Sequence, residues 1–151
     1  MGTPDFAVAS LNKLVQANKN IVGVITATDK YGGRGGKKLI QSAVKKYAVE
    51  KGLKVLQPKN LKAAEFIKEL QSLKADIQIV VAFRMLPEVV WNMPPNGTFN
   101  LHGSLLPQYR GAAPINWAVI NGEQVTGVTT FFLQHAIDTG EIIDQKKLPI
   151  G

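Results

Sequence analysis

Asn100 and His102 stand two positions apart at the end of a strand-like stretch, and Asp138 follows in the triplet Asp138-Thr139-Gly140. Residues two apart on a strand point to the same side, so one ligand can meet both the amide and the imidazole. An amide NH₂ donates to a developing negative charge. An imidazole titrates near neutral pH and can take or give a proton. A carboxylate can orient the imidazole and help relay a proton. This set suits acyl transfer to an amine: the amine attacks, the acyl oxygen becomes an oxyanion, and the amine loses a proton. The nucleophile belongs to the substrate, so the lack of cysteine is no obstacle. Alone, Asn-x-His carries almost no signal and reads better as a hydrogen-bonded structural pair. Its company is more informative: Ser104-Leu105-Leu106-Pro107, Arg110-Gly111, Pro114 and Trp117-Ala118 all lie between it and Asp138.

Two other motifs need sorting. Asp-Thr-Gly also occurs in aspartic proteases, but those need two such aspartates in a mainly β fold, and here Glu141 follows the glycine where a small residue is usual. The glycine-rich stretch from Asp29 to Lys38 is not a phosphate-binding P-loop. Tyr31 stands where its first glycine should be, and Lys38 where Ser or Thr should be. Two histidines and scattered carboxylates show no metal-ligand spacing.

The elements that must position these residues alternate. Residues 4–19 read as a helix with Ala7, Leu11, Leu14 and Val15 on one face. Residues 21–26 form a short buried strand, 29–38 a glycine-rich loop, and 42–51 a helix stopped by Gly52. A strand at 53–56 and a helix at 61–73 follow, then the strongest buried strand at 76–83 and a short helix at 86–91. Residues 97–101 form the strand that delivers Asn100 and His102. Pro114 opens a helix that runs to Ile120, with Gly122 beyond its end. Strands at 125–133 and 141–148 complete the pattern. Alternation of this kind implies right-handed crossovers and a mostly parallel, Rossmann-like α/β sheet flanked by helices. Ligands in such sheets bind beyond the carboxyl ends of the strands, where Asn100, His102 and the residues from Phe83 to Leu86 all lie.

The length of 151 residues suits one domain, and 45% hydrophobic against 19% charged residues can build a full core. No apolar run reaches the roughly 18 residues of a membrane span, and the start lacks the basic-then-apolar pattern of a secretory signal. The net charge of +7 is uneven: residues 1–75 hold 14 Lys/Arg against 5 Asp/Glu, and residues 76–151 hold 4 against 6. A polyanion therefore suits the N-terminal half and chemistry the C-terminal half. Solvated, lysine-rich helix faces would give the same balance.

The combination of Asn100-Leu101-His102, Ser104-Leu105-Leu106-Pro107, Arg110-Gly111-Ala112-Ala113-Pro114 and Asp138-Thr139-Gly140 resembles the folate-dependent formyltransferases along nearly the whole chain. Met1–Ala7 and the Arg34 loop favour the branch that acts on methionyl-tRNA. The resemblance implies a cytoplasmic enzyme that moves a formyl group from 10-formyltetrahydrofolate to the α-amine of methionyl-tRNA, the step that makes the initiator tRNA. It implies Asn100, His102 and Asp138 as the catalytic trio. It also implies a folate site at Phe83, Arg84, Met85 and Leu86, largely through backbone groups, with Ser104, Leu105, Leu106 and Pro107 as the folate-side wall. Lys30, Arg34, Lys37 and Lys38 would grip the tRNA acceptor end, their charges meeting phosphates while the glycines let the loop fold onto RNA. His135 has no such role and reads as a loop residue. A sugar-nucleotide formyltransferase fits the Asn100–Pro107 motif equally well, though not the basic loop. Glycinamide ribonucleotide formyltransferase fits less well, because it usually carries Pro at position 103. A non-catalytic folate- or RNA-binding fragment is the third alternative. By the same resemblance, residues 1–151 are expected to be a formyltransferase catalytic domain partial at both ends, without the family's first, central strand and without its C-terminal domain.

Overall fold

The computed structural model describes residues 1–136 and 138–151. In chain order the elements are α1 (Asp5–Gln16), β1 (Val24–Ile25), β2 (Lys30–Gly32), β3 (Lys38–Ile40), α2 (Ala43–Glu50), β4 (Val55–Leu56), α3 (Ala64–Ser72), β5 (Gln78–Val81), α4 (Glu88–Trp91), β6 (Thr98–His102), α5 (Pro114–Ile120), β7 (Val125–Phe132) and β8 (Ile142–Pro149). Strands β1 and β4 pair in parallel, as do β5 and β6. The β6–β7 and β7–β8 pairs are antiparallel. The expected parallel arrangement thus describes one side of the molecule, and an antiparallel meander forms the other. The connection from β7 to β8 is too short for a crossover helix, whereas the connection from β6 to β7 carries α5 and still returns antiparallel.

Strand alternation sorts the core into two layers. Ile25, Leu56 and Val80 face Phe66 and Leu70 of α3 and Val90 of α4. Val24 and Val81 face Ala7 of α1 and Val44 and Ala48 of α2. Neighbouring residues on one strand serve opposite layers, as a pleated strand buried on both faces requires. Ser42 caps α2 by accepting from the Lys45 N–H at 3.0 Å.

The stretch expected to be a loop at 29–38 is a β-hairpin. Lys30 pairs with Ile40, Tyr31 with Leu39 and Gly32 with Lys38. The β-forming residues Tyr31, Leu39 and Ile40 supply the strands, and Gly33, Gly35 and Gly36, all at positive φ, supply the reversal. Asp29 anchors its base through a salt bridge to Lys45 and a 2.8 Å hydrogen bond from Gln57. These partners hold the Asp29 carboxyl below its ordinary pKa.

Met1 and Gly2 enter the sheet. The Gly2 N–H donates to Ile25 O at 3.0 Å, the Val81 N–H donates to Met1 O at 2.9 Å, and Gly2 bridges Val81 in parallel. The strand pair β1–β4 and the four-stranded sheet meet through this bridge, beside a cavity of about 510 Å³ lined by Leu11, Leu14, Leu70 and Leu73. The Met1 nitrogen donates to Ile79 O at 2.7 Å.

Candidate active site

A cavity of about 760 Å³ opens where β5 and β6 end. That volume suits one extended small ligand. Strand β6 brings Asn100 opposite Val80 and Phe131, and His102 opposite Thr129. Both line the cavity, and Asp138 reaches the same space from the connection between β7 and β8. The structure therefore brings together all three residues singled out for chemistry.

His102 is buried, and its Nε2 lies 2.8 Å from the Tyr109 carbonyl oxygen. Its Nδ1 lies 3.9 Å from Asp138 Oδ2. That gap is too long for a hydrogen bond, yet close enough for a charge on one group to stabilise a charge on the other. The same Asp138 oxygen accepts the Gly111 N–H at 3.0 Å. Asp138 sits at φ +51°, a left-handed conformation that aspartate tolerates better than most residues. Gly140 explains the triplet: a Cβ there would collide with the Phe132 carbonyl, so only glycine lets the loop close back onto β7. Asn100 Oδ1 is buried without a hydrogen-bond partner among the described residues. An orphan acceptor of this kind costs about 1–3 kcal/mol, and such costs concentrate at functional sites.

Phe83, Arg84, Met85 and Leu86 line the cavity on one side. Ala82, at φ +48°, turns the chain out of β5 to form this wall. The Arg84 guanidinium turns away and donates to the carbonyls of Lys59 and Pro58, tying the wall to the segment before α3. Ser104, Leu105, Leu106 and Pro107 are not among the residues that line this cavity. Ser104 and Leu106 are buried behind it. Ser104 Oγ donates to Gln108 O at 2.7 Å, and the Leu106 N–H donates to Thr129 Oγ1 at 3.1 Å. Leu105 is half-buried and Pro107 exposed, so the segment buries Ser104 and Leu106 and leaves Pro107 at the surface.

Several lining residues carry no signal in the sequence. Phe6 in α1, Trp91 in α4 and Leu133 just past β7 meet only in the fold. His135, read as a loop residue, stands at the cavity with its ring edge-on to Trp91, centroids 5.4 Å apart, and 3.6 Å from Glu88. The stretch Gly111–Ile115 also lines the cavity, and for it the Arg-Gly-x-x-Pro run was a usable clue. The hairpin cations Lys30, Arg34, Lys37 and Lys38 are exposed, and no hairpin residue lines the cavity. No group of three potential metal ligands occurs among the described residues, and no described helix is long and apolar enough to cross a membrane.

Comparison with known proteins supplies an independent line. The Formyl transferase family model matches residues 1–151. A methionyl-tRNA formyltransferase of Parabacteroides distasonis is 71% identical over 151 residues, covering 100% of this chain and 47% of that protein. One of Bacteroides thetaiotaomicron is 66% identical, again over 100% and 47%. The chain thus spans about half the length of the curated relatives it matches. Among solved structures, phosphoribosylglycinamide formyltransferase from Anaplasma phagocytophilum superposes with a TM-score of 0.78 at 20% identity, over 99% of this chain and 70% of that one. The sugar 3N-formyl transferase WlaRD gives 0.64 at 24% identity, over 99% and 50%. At these identities the structures speak for the fold alone.

Proposed function

The chain belongs to the formyl transferase family, and from that premise we propose that it transfers a formyl group from 10-formyltetrahydrofolate to the α-amine of methionyl-tRNA. The observation that carries the chemistry is the convergence of Asn100, His102 and Asp138 on one cavity, with His102 Nδ1 3.9 Å from Asp138 Oδ2. The acceptor follows from the name of relatives 60–71% identical to this chain. The folate lies against the wall of Phe83, Met85 and Leu86, where apolar side chains cover its ring and backbone groups meet its polar edge. In this reading residues 1–151 form part of a formyltransferase catalytic domain.

The residues then divide the reaction. The amine nitrogen attacks the formyl carbon, forming a C–N bond as the carbonyl electrons move to oxygen. Asn100 presents Nδ2 to that oxyanion. Neutral His102 offers Nδ1 to the proton that the amine sheds. The resulting imidazolium faces the Asp138 carboxylate, which stabilises its charge. As the tetrahedral adduct collapses, the bond to the folate nitrogen breaks, and that nitrogen receives the proton from His102. Tetrahydrofolate and formylmethionyl-tRNA leave, and His102 returns neutral.

The hairpin supplies the grip on RNA. Lys30, Arg34, Lys37 and Lys38 project from a base fixed by Asp29, and Tyr31 is 75% exposed. Neutralising Arg34, Lys37 and Lys38 together is expected to weaken methionyl-tRNA binding by about tenfold or more. The slope of log K against log salt should drop by about two to three. Filter binding over a salt series, with and without the substitutions, tests this. An unchanged slope with normal folate binding would remove the hairpin from the tRNA interface.

A further inference from the structure

The Tyr109 carbonyl at 2.8 Å is the hydrogen-bond partner of His102 Nε2. A carbonyl oxygen only accepts, so Nε2 carries the proton in neutral His102, and Nδ1 is the bare nitrogen turned toward Asp138. The tautomer on which the chemistry depends is therefore set by where one backbone carbonyl points. That carbonyl belongs to a tyrosine at φ +54°. The left-handed conformation is unfavourable for a residue with a bulky side chain and persists only where surroundings hold it.

Two sets of contacts do so. On the inner side, Ser104 Oγ donates to Gln108 O at 2.7 Å and approaches Tyr109 O at 3.5 Å. On the outer side, the Tyr109 phenol donates to Glu123 Oε1 at 2.7 Å and accepts from Asn121 Nδ2 at 3.1 Å. Asn121 and Glu123 sit in the turn that ends α5, and that turn is fixed by its own backbone bonds, Asn121 N–H to Trp117 O at 3.0 Å and Glu123 N–H to Ala118 O at 3.1 Å. The phenol is thus fastened to a second element some distance along the chain, and its backbone cannot relax to an ordinary conformation without breaking that hold.

We propose that Tyr109 is a positioning residue for His102: its phenol, clamped by Glu123 and Asn121, keeps its carbonyl aimed at Nε2 and thereby leaves Nδ1 free for the proton of the attacking amine. The catalytic consequence rests on the formyl-transfer reading, whereas the tautomer does not.

The chain has two histidines, so ¹⁵N-histidine labelling and long-range ¹H–¹⁵N correlation report the tautomer directly, with His135→Gln assigning the signals. At a pH where the rings are neutral, the unsubstituted protein is expected to show His102 protonated at Nε2. Tyr109→Phe should give shifts averaged between the two tautomers. Its kcat should fall about tenfold with the KM for each substrate within about twofold. Glu123→Gln keeps an acceptor for the phenol proton, so it should hold both the spectrum and kcat near those of the unsubstituted protein. An unchanged His102 spectrum in Tyr109→Phe would overturn the proposal. A shifted spectrum with an unchanged kcat would overturn it too. The spectrum is read without substrates, so a protein that shows the Nε2–H tautomer yet transfers no formyl group would contradict the proposed function and not the clamp.

Discussion

Replacing His102 by alanine is expected to lower kcat for formyl transfer by about 10³-fold while leaving folate affinity within about threefold. The separation follows from where the ring stands. The proposed folate wall is Phe83, Met85 and Leu86, and it does not include the imidazole. The proton path does. Without Nδ1, the proton shed by the amine has no acceptor on the protein. Asp138 remains nearby, but its Oδ2 is already engaged by the Gly111 N–H. His102→Gln is the companion variant, because it refills the space and can still donate to Tyr109 O while offering no titrating nitrogen. Both variants are expected to show the same loss. Folate binding can be read from the fluorescence of Trp91, which lines the cavity. Equal loss of binding and turnover would make His102 part of the folate wall instead.

The second large effect is expected at Asn100. Asn100→Leu removes the proposed oxyanion donor, so kcat should fall by about 10²–10³-fold. The same change also removes a buried acceptor with no partner, the Oδ1 atom. A side chain that is costly to bury and is replaced by an apolar one of similar size should leave the protein no less stable, and up to about 1 kcal/mol more stable. Asn100→Asp keeps the shape but puts negative charge where the oxyanion forms, so its kcat should fall at least as far. Single-turnover transfer and urea unfolding on the same preparations check both halves. A destabilised Asn100→Leu with normal turnover would make Asn100 a structural residue.

Much of the scaffold was legible because it follows from local chemistry. The bounds of α5 were readable from Pro114 at its first turn and Gly122 at positive φ beyond its end. The shared face of Asn100 and His102 followed from the period of a strand, and the register of β6 shows them so placed. Asp138 entered through its spacing and its glycine, and that glycine proves to be demanded by the Phe132 carbonyl. What local chemistry does not carry is long-range. The hairpin at 30–40 looked like a loop because its glycines outweigh its few β-formers until the strands pair. The antiparallel turn of the sheet at β7 and β8 depends on pairing partners, which strand patterns do not name. Ser104 and Leu106 are buried because Thr129, on a strand 25 residues away from Ser104, holds them by accepting from the Leu106 N–H and donating to Ser104 O. Phe6, Trp91 and Leu133 become neighbours only once the layers pack.

The most direct measurement is formyl transfer by a chimera in which these 151 residues replace the matched segment of the Parabacteroides distasonis relative, which supplies the remaining length. Labelled 10-formyltetrahydrofolate would be offered with methionyl-tRNA and, separately, with an amino-sugar nucleotide. Transfer to methionyl-tRNA that disappears in the His102→Ala chimera is the expected result. A folded chimera that formylates only the amino sugar, or one in which His102→Ala transfers to methionyl-tRNA at the full rate, would contradict the account.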